Sequence, residues 1–472
     1  MHVLFLTDLG PTLMYTAVLG ATLVAQHIPF LARSNMSAFA KAPASRSRTL
    51  KSVFGGLAIV GVSALVLSGC AAADEPAATT APSTDTTSEA SDVNEIEAGD
   101  RDLSLKVGTI LPQSGGLSFL GPPEEAGVAL AVQEINDAGL GIDVEAIFRD
   151  SGDTTTDTAT VSVTDLLSQD VSAIIGAASS GVSLTVIDQI TGAGVIQFSP
   201  ANTSAAFSDY DDAGLFFRTA PSDTLQGEVL GNLIAEDGRA TLGILALNDA
   251  YGTGLAEYTT EAFEAAGGEV VATELFNEGD ASFDAQISAV TAQNPDAIAI
   301  ISFDQAKVLT PALVGGGYPG EDLYFVDGNL ADFSADFAPD LITGAKGTLP
   351  GLDTATLGDF TDRLLEIDPN LTDYSYAAES YDAVMAIAIA AYAANSTDPA
   401  DIASYLQQIS GGTGEGEKVT DFASAAALLA EGTQIDFDGY SGPITFDENG
   451  DPTDATIGIY EYNAENKYDR IN

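Results

Sequence analysis

Two hydroxyl-rich loops and one isolated acid are where side chains of suitable type are spaced to hold a small polar molecule. Ala177-Ala178-Ser179-Ser180-Gly181 follows an apolar run ending at Gly176, and Ser199-Pro200-Ala201-Asn202-Thr203-Ser204 follows one ending at Phe198. Each loop enters a helical pattern. Its hydroxyls therefore stand beside the backbone N–H groups that a first helical turn leaves free, which makes a cradle for a carboxylate without any cation. Ordinary N-capping by Ser and Thr is the simpler account of either loop taken alone. Asp327-Gly328 follows the run Leu323 to Val326; its carboxylate could hold an ammonium or serve a turn.

Other chemistry is narrowly bounded. The two histidines, His2 and His27, precede the single cysteine, Cys70. Downstream of Cys70 there is no imidazole and no thiol, which excludes Ser-His-Asp and Cys-His nucleophiles and zinc sites built on His or Cys. Without histidine, ligand binding is expected to be nearly independent of pH between about 6 and 8. Asp447, Asn449 and Asp451 have the spacing of the first calcium ligands of an EF-hand, but no Glu follows at the twelfth position. Asn449-Gly450, between Ile444-Thr445-Phe446 and Ala455 to Tyr460, reads better as a hairpin turn. Tyr374, Tyr376 and Tyr381 precede or open an alanine-rich helix running to Ala394 and are expected to pack against it. No catalytic acid pair is marked, so the chain is expected to be neither an enzyme nor a carrier of a metal or other cofactor.

The chain has 472 residues and a formal charge of −53. Its length implies two lobes plus some non-globular sequence, and its charge repels nucleic acid and anionic headgroups. Five of the 16 basic residues but only one of the 69 acids precede Cys70. Residues 36–69 read as a signal: Arg46, Arg48 and Lys51 form a basic start, an apolar run extends from Val53 to Leu67, and Leu67-Ser68-Gly69-Cys70 resembles a bacterial lipobox. That resemblance implies cleavage before Cys70, lipidation of its thiol and a diacylglyceryl anchor on the outer face of the cell membrane. Residues 1–35 are expected to be either sequence upstream of the true start at Met36 or an extra hydrophobic segment. Residues 70–102, rich in Ala, Thr, Ser, Pro, Asp and Glu, are expected to be a disordered tether.

From Leu103 onward short apolar runs alternate with helical patterns, the signature of parallel βαβ units and an α/β fold. Strands are expected at Leu105 to Leu111, Val144 to Phe148, Ala173 to Gly176 and Val195 to Phe198. A second series falls at Thr241 to Leu247, Glu269 to Phe276, Ala297 to Ile301 and Leu323 to Val326. Pro122 and Pro123 open a helix that Gly139 closes. In doubly wound sheets ligands collect at the carboxyl ends of strands, where both hydroxyl loops and Asp327 fall.

Lys106-Val107-Gly108-Thr109-Ile110-Leu111-Pro112, Ser114-Gly115, Ala126-Gly127 and Glu134-Ile135-Asn136 open a run of motifs that continues through Ile175-Gly176, Ser199-Pro200-Ala201, Phe217-Arg218-Thr219, Asn248 to Gly254 and Gly442 to Gly450. In order and spacing they resemble the type I periplasmic solute receptors of ABC transporters, specifically the leucine/isoleucine/valine-binding branch. The resemblance implies two Rossmann-like lobes joined by three crossovers, here near Thr219 to Ser222, Leu349 to Asp353 and Tyr440 to Pro443. Lobe 1 is then 103–220 with 352–440, and lobe 2 is 221–351 with 441–472. It further implies that Ser180 and Thr203 hold an amino-acid carboxylate, that the Ala201 carbonyl accepts from the ammonium, and that Asp327, replacing a family glutamate, pairs with it. Tyr251 matches a pocket tyrosine. Leu120 and Phe303 replace two others, which leaves a more apolar pocket, and the family disulfide is absent because Gly152 and Ser179 occupy its positions. The implied function is solute reception for an ABC permease, with a neutral, possibly branched-chain, amino acid as ligand. The alternative is a receptor or sensor for urea, an amide or an aromatic acid.

Overall fold

Runs of β-branched and other apolar residues with no polar alternation suit strands buried on both faces; such strands form the centre of the first sheet, with the half-exposed strand 142–150 at its edge. The computed structural model describes residues 93–353, 357–414 and 416–472. The expectations for residues 1–35, the signal at 36–69 and lipidation at Cys70 lie outside the described residues.

Lobe 1 begins β1 Leu103–Leu111, α1 Gly121–Ala138, β2 Ile142–Asp150, α2 Thr158–Leu167, β3 Ala173–Gly176, α3 Ser180–Thr191, β4 Ile196–Ser199 and β5 Phe216–Arg218. The strands run parallel in the order β2-β1-β3-β4-β5. Lobe 2 follows with α4 Asp223–Glu236, β6 Thr241–Leu247, α5 Ala250–Ala265, β7 Glu269–Phe276, α6 Asp284–Thr291, β8 Ala297–Ile301, α7 Ala306–Gly315, β9 Leu323–Phe325 and β10 Lys346–Pro350. The chain then returns to lobe 1 with α8 Asp359–Ile367, α9 Ala377–Ala394, α10 Pro399–Ile409, β11 Glu417–Val419, α11 Phe422–Ala430 and β12 Ile435–Phe437. It ends in lobe 2 with β13 Ile457–Tyr462 and β14 Tyr468–Arg470, which add antiparallel to a sheet ordered β14-β13-β10-β9-β8-β6-β7. The result is a mixed α/β architecture of two largely parallel sheets flanked by helices.

The alanine-rich α9 is buried along nearly its whole length, because alanines let neighbouring backbones approach closely. A Cβ at Gly127 of α1 would lie 2.2 Å from the carbonyl oxygen of Ala377, so that crossing requires glycine. Among the described residues no helix is long and apolar enough to cross a membrane.

Three boundaries differ from the sequence expectation. Residues 93–102, expected within the tether, lie along lobe 1. Ile96 joins its core, Asn94 bonds to Ser404 and Gln408, and the buried Arg101 donates to the carbonyl of Tyr392. The third crossover, expected near Tyr440 to Pro443, comes later. Ile444 and Phe446 bury in the lobe 1 core, where the Phe446 ring meets Phe198 and Phe217 at 5.8 and 5.7 Å. Asp451 is likewise held by Arg218, so the chain leaves lobe 1 between Asp451 and Ile457. The turn at Asn449-Gly450 forms, with the Gly450 N–H donating to the Asp447 carbonyl, but the expected hairpin stops at one bridge between Phe446 and Pro452. The following strand pairs with β10 instead, since its apolar residues fill the lobe 2 core.

Candidate binding cleft

The two hydroxyl loops and Asp327 lie at the carboxyl ends of strands in one sheet or the other, and the lobes bring those ends face to face. Ser180 opens α3 directly after β3, while Ser179 N-caps the helix by accepting from the Val182 N–H at 3.3 Å. The two readings of that loop are therefore divided between neighbours: Ser179 caps, and the Ser180 hydroxyl faces outward and accepts from the Ser204 N–H at 3.3 Å. The second loop is held from behind. Ser199 Oγ accepts from the N–H groups of Ala201 and Asn202, and the wholly buried Arg218 donates to the carbonyls of Asn202 and Ser204.

From lobe 2, Asp327 begins the turn Asp327–Asn329 after β9. Its Oδ1 accepts from the Tyr251 hydroxyl at 2.7 Å and Gln226 Nε2 at 3.0 Å, and its Oδ2 from the Tyr376 hydroxyl at 2.9 Å. Tyr251 also stacks on Phe303, with ring centroids 5.5 Å apart. A narrow pocket, about 250 Å³ of space including its open mouth, gathers Leu120, Ser180 and Ala201 from lobe 1 with Tyr251, Phe303 and Asp327 from lobe 2. Thr203 stands one layer behind them. It is 1% exposed, and its hydroxyl faces the Asp223 carboxyl without a hydrogen bond of standard geometry.

The sequence reading missed Asp223, Gln226 and Tyr376. Asp223 sits at the start of α4, completely buried, with neither carboxylate oxygen hydrogen-bonded. Burial, and secondly the neighbouring charge of Asp327, push its pKa well above the usual carboxylate range. Burial also raises Asp327, against the lowering effect of its hydrogen bonds. Tyr376 was expected to cap helix packing, yet its hydroxyl reaches across to Asp327. Its backbone is left-handed, with φ of 58°, an uncommon state for a bulky residue that tends to mark functional positions. The signal available in the sequence was the tyrosine cluster before α9, and for Asp223 the Ser-Asp pair that opens a helix.

The lobes touch across the cleft. Ser204 Oγ donates to the Ala250 carbonyl at 3.0 Å, and Thr154 donates to Glu278 through both its hydroxyl and its N–H. The arrangement presents hydroxyls and a helix N-terminus on one wall and buried acids on the other. Asp447 and Asp451, the first and third of the calcium-spaced residues, are engaged internally: Asp447 accepts from two backbone N–H groups, and Asp451 pairs with Arg218.

Comparison with known proteins places this geometry in context. Residues 123–465 match the profile of the receptor family ligand binding region. The chemotactic signal transduction system substrate-binding protein BasB of Halobacterium salinarum is 28% identical, over 72% of this chain and 83% of its own. A Leu/Ile/Val-binding protein homolog 1 of Brucella abortus is 27% identical, over 77% and 92%. The branched-chain amino acid transporter substrate binding protein LivJ of Streptococcus pneumoniae, solved in complex with isoleucine, superposes with a TM-score of 0.64 at 23% identity, covering 78% of this chain and 99% of that one.

Proposed function

The chain belongs to the family of receptor ligand binding regions and is a binding protein rather than an enzyme; from that premise we propose that it receives a neutral amino acid, a branched-chain one fitting best, for an ABC importer. The observation that carries this reading is the buried carboxyl of Asp327, backed by that of Asp223, in a cavity with no Lys or Arg in its lining and opposite the α3 N-terminus and the Ser180 hydroxyl. An ammonium satisfies the acids and a carboxylate satisfies the helix start, so a zwitterion bridges the lobes and favours their closure. A solute with a carboxylate alone leaves the acids uncompensated. The mature chain is held to the cell membrane through lipid on Cys70, by the lipobox pattern at 67–70. Palmitate labelling that persists in a Cys70→Ala variant would refute that anchor.

Calorimetry with isoleucine tests the clamp. Removing one partner of a buried charge pair costs about 2–5 kcal/mol, so Asp327→Ala should weaken binding roughly 30-fold or more. The amide and the decarboxylated amine of the same amino acid should bind poorly to the unaltered protein. Binding by Asp327→Ala within about threefold of wild type would instead favour a neutral or acidic solute.

A further inference from the structure

On the hinge side of the lobes a second and larger cavity encloses about 970 Å³, including its open mouth. Lobe 2 contributes Leu349 and Pro350 at the crossover out of β10, together with Tyr460 and Tyr468, and lobe 1 contributes Tyr374, Tyr376 and Glu379. Glu379 is 6% exposed, so its carboxyl is desolvated. Beside it, on α1, both carboxylate oxygens of Glu124 are buried without a hydrogen bond. Buried carboxyls normally have a cationic or donor partner. Lys467 also lines the cavity, but it lies toward solvent and pairs with Asp332 at 3.1 Å. The rings around the cavity already accept cations on their faces: Arg470 lies over Tyr460 at 6.0 Å, and Arg363 over the neighbouring Tyr440 at 5.2 Å.

We propose that this cavity is a second binding site, for a compact quaternary or alkyl ammonium ion, with Glu379 as its counter-ion and tyrosine rings as its walls. Tyrosine faces and a desolvated carboxylate are the chemistry that recognises such cations. Because the walls come from both lobes, an occupant braces the lobe angle seen here and couples to the amino-acid cleft through Tyr376, which lines both cavities. Glu379 is faced by Glu124 from α1, by Asp382 from its own helix and by Tyr376 and Tyr460, with Asp373 and Lys467 along the cavity wall. Burial pushes its pKa up to about 8, so a bound cation displaces a proton.

Tetramethylammonium titrated into the whole domain, followed by tyrosine fluorescence and calorimetry, tests the site. Saturable binding is expected, weakened about tenfold or more by Glu379→Gln and severalfold by Tyr374→Ala, and affected far less by Asp327→Ala. Affinity should rise from pH 6 to about 8 and level off, and Glu379→Gln should lose that rise. Tyr374→Ala, at the half-exposed rim, keeps the test decidable if Glu379→Gln fails to fold. No saturable signal up to about 50 mM, or binding indifferent to both Glu379→Gln and Tyr374→Ala, overturns the proposal. Binding lost in Asp327→Ala but kept in Glu379→Gln also overturns it, because the ion then occupies the amino-acid cleft.

Discussion

Asp327 accepts from three side-chain donors and still has its pKa raised, because complete burial outweighs the bonds it accepts. On the proposed function, an arriving ammonium supplies the compensation that neutral donors do not. Tyr376 contributes one of those donors and is the only one from lobe 1, so its hydrogen bond exists only while the lobes are together. Tyr376→Phe should weaken amino-acid binding by about 0.5–1.5 kcal/mol, roughly twofold to twelvefold, with little change in the apolar packing of the ring. Calorimetry on the two proteins gives the number; an unchanged affinity would mean that the bond does not discriminate between open and closed lobes. Ser180 and Asp327 were legible because each follows an apolar run directly. Tyr376 was not, because nothing in a linear pattern says that a residue 49 positions further on returns to the same cavity.

At the level of elements, the loop after β4 owes its shape to Arg218 at the end of β5. The guanidinium is 0% exposed, pairs with Asp451 at 2.6 Å, and donates to two loop carbonyls at 2.8 and 3.3 Å. A charge buried this deeply is tolerated only while its partners remain. Asp451→Ala should therefore destabilise the domain by about 3–5 kcal/mol in denaturant unfolding, and should weaken amino-acid binding by loosening the backbone around Ala201 and Thr203. Full retention of both stability and affinity would show that the Ser208 hydroxyl, which accepts from Arg218 at 3.1 Å, and the loop carbonyls suffice for Arg218. The same pair explains the displaced crossover, since Asp451 must stay with lobe 1 before the chain can leave for β13.

For the domain as a whole, the lack of histidine after Cys70 bears on ligand binding, while folding stability is expected to depend on pH through buried carboxyls. Burial raises Glu379 from 4.5 to about 8 and Asp382 from 3.8 to about 6. Such groups hold a proton in the folded state that they release on unfolding, so stability is highest at low pH and falls as pH rises towards the folded pKa values. Carboxyls with lowered values, such as Asp150 and Asp332, act with the opposite sign but only near and below 3.8. Denaturation midpoints should therefore decline from about pH 5 to pH 8 and flatten above it. Glu379→Gln should remove much of the slope between pH 6 and 8. A flat profile across that range would mean that Glu379 titrates normally and that the interior around it is wet.

The sequence by itself determined the alternation of strands and helices, because a period of two or a short apolar run and a period near 3.6 dictate which faces can be buried. It also determined the chemistry available, hydroxyls and carboxylates without imidazole or thiol, and the positions of Ser180 and Asp327 at strand ends. Only the tertiary structure decided how these were used. Ser179 caps while Ser180 faces the cleft because the helix start admits one cap. Thr203 recedes to Asp223, and Tyr376 reaches Asp327, because two lobes folded from interleaved segments meet along one line. Which carboxyls stay without a hydrogen bond, Asp223 and Glu124 among them, depends on what packs around each, and burial of that kind is a property of three dimensions that no local pattern encodes.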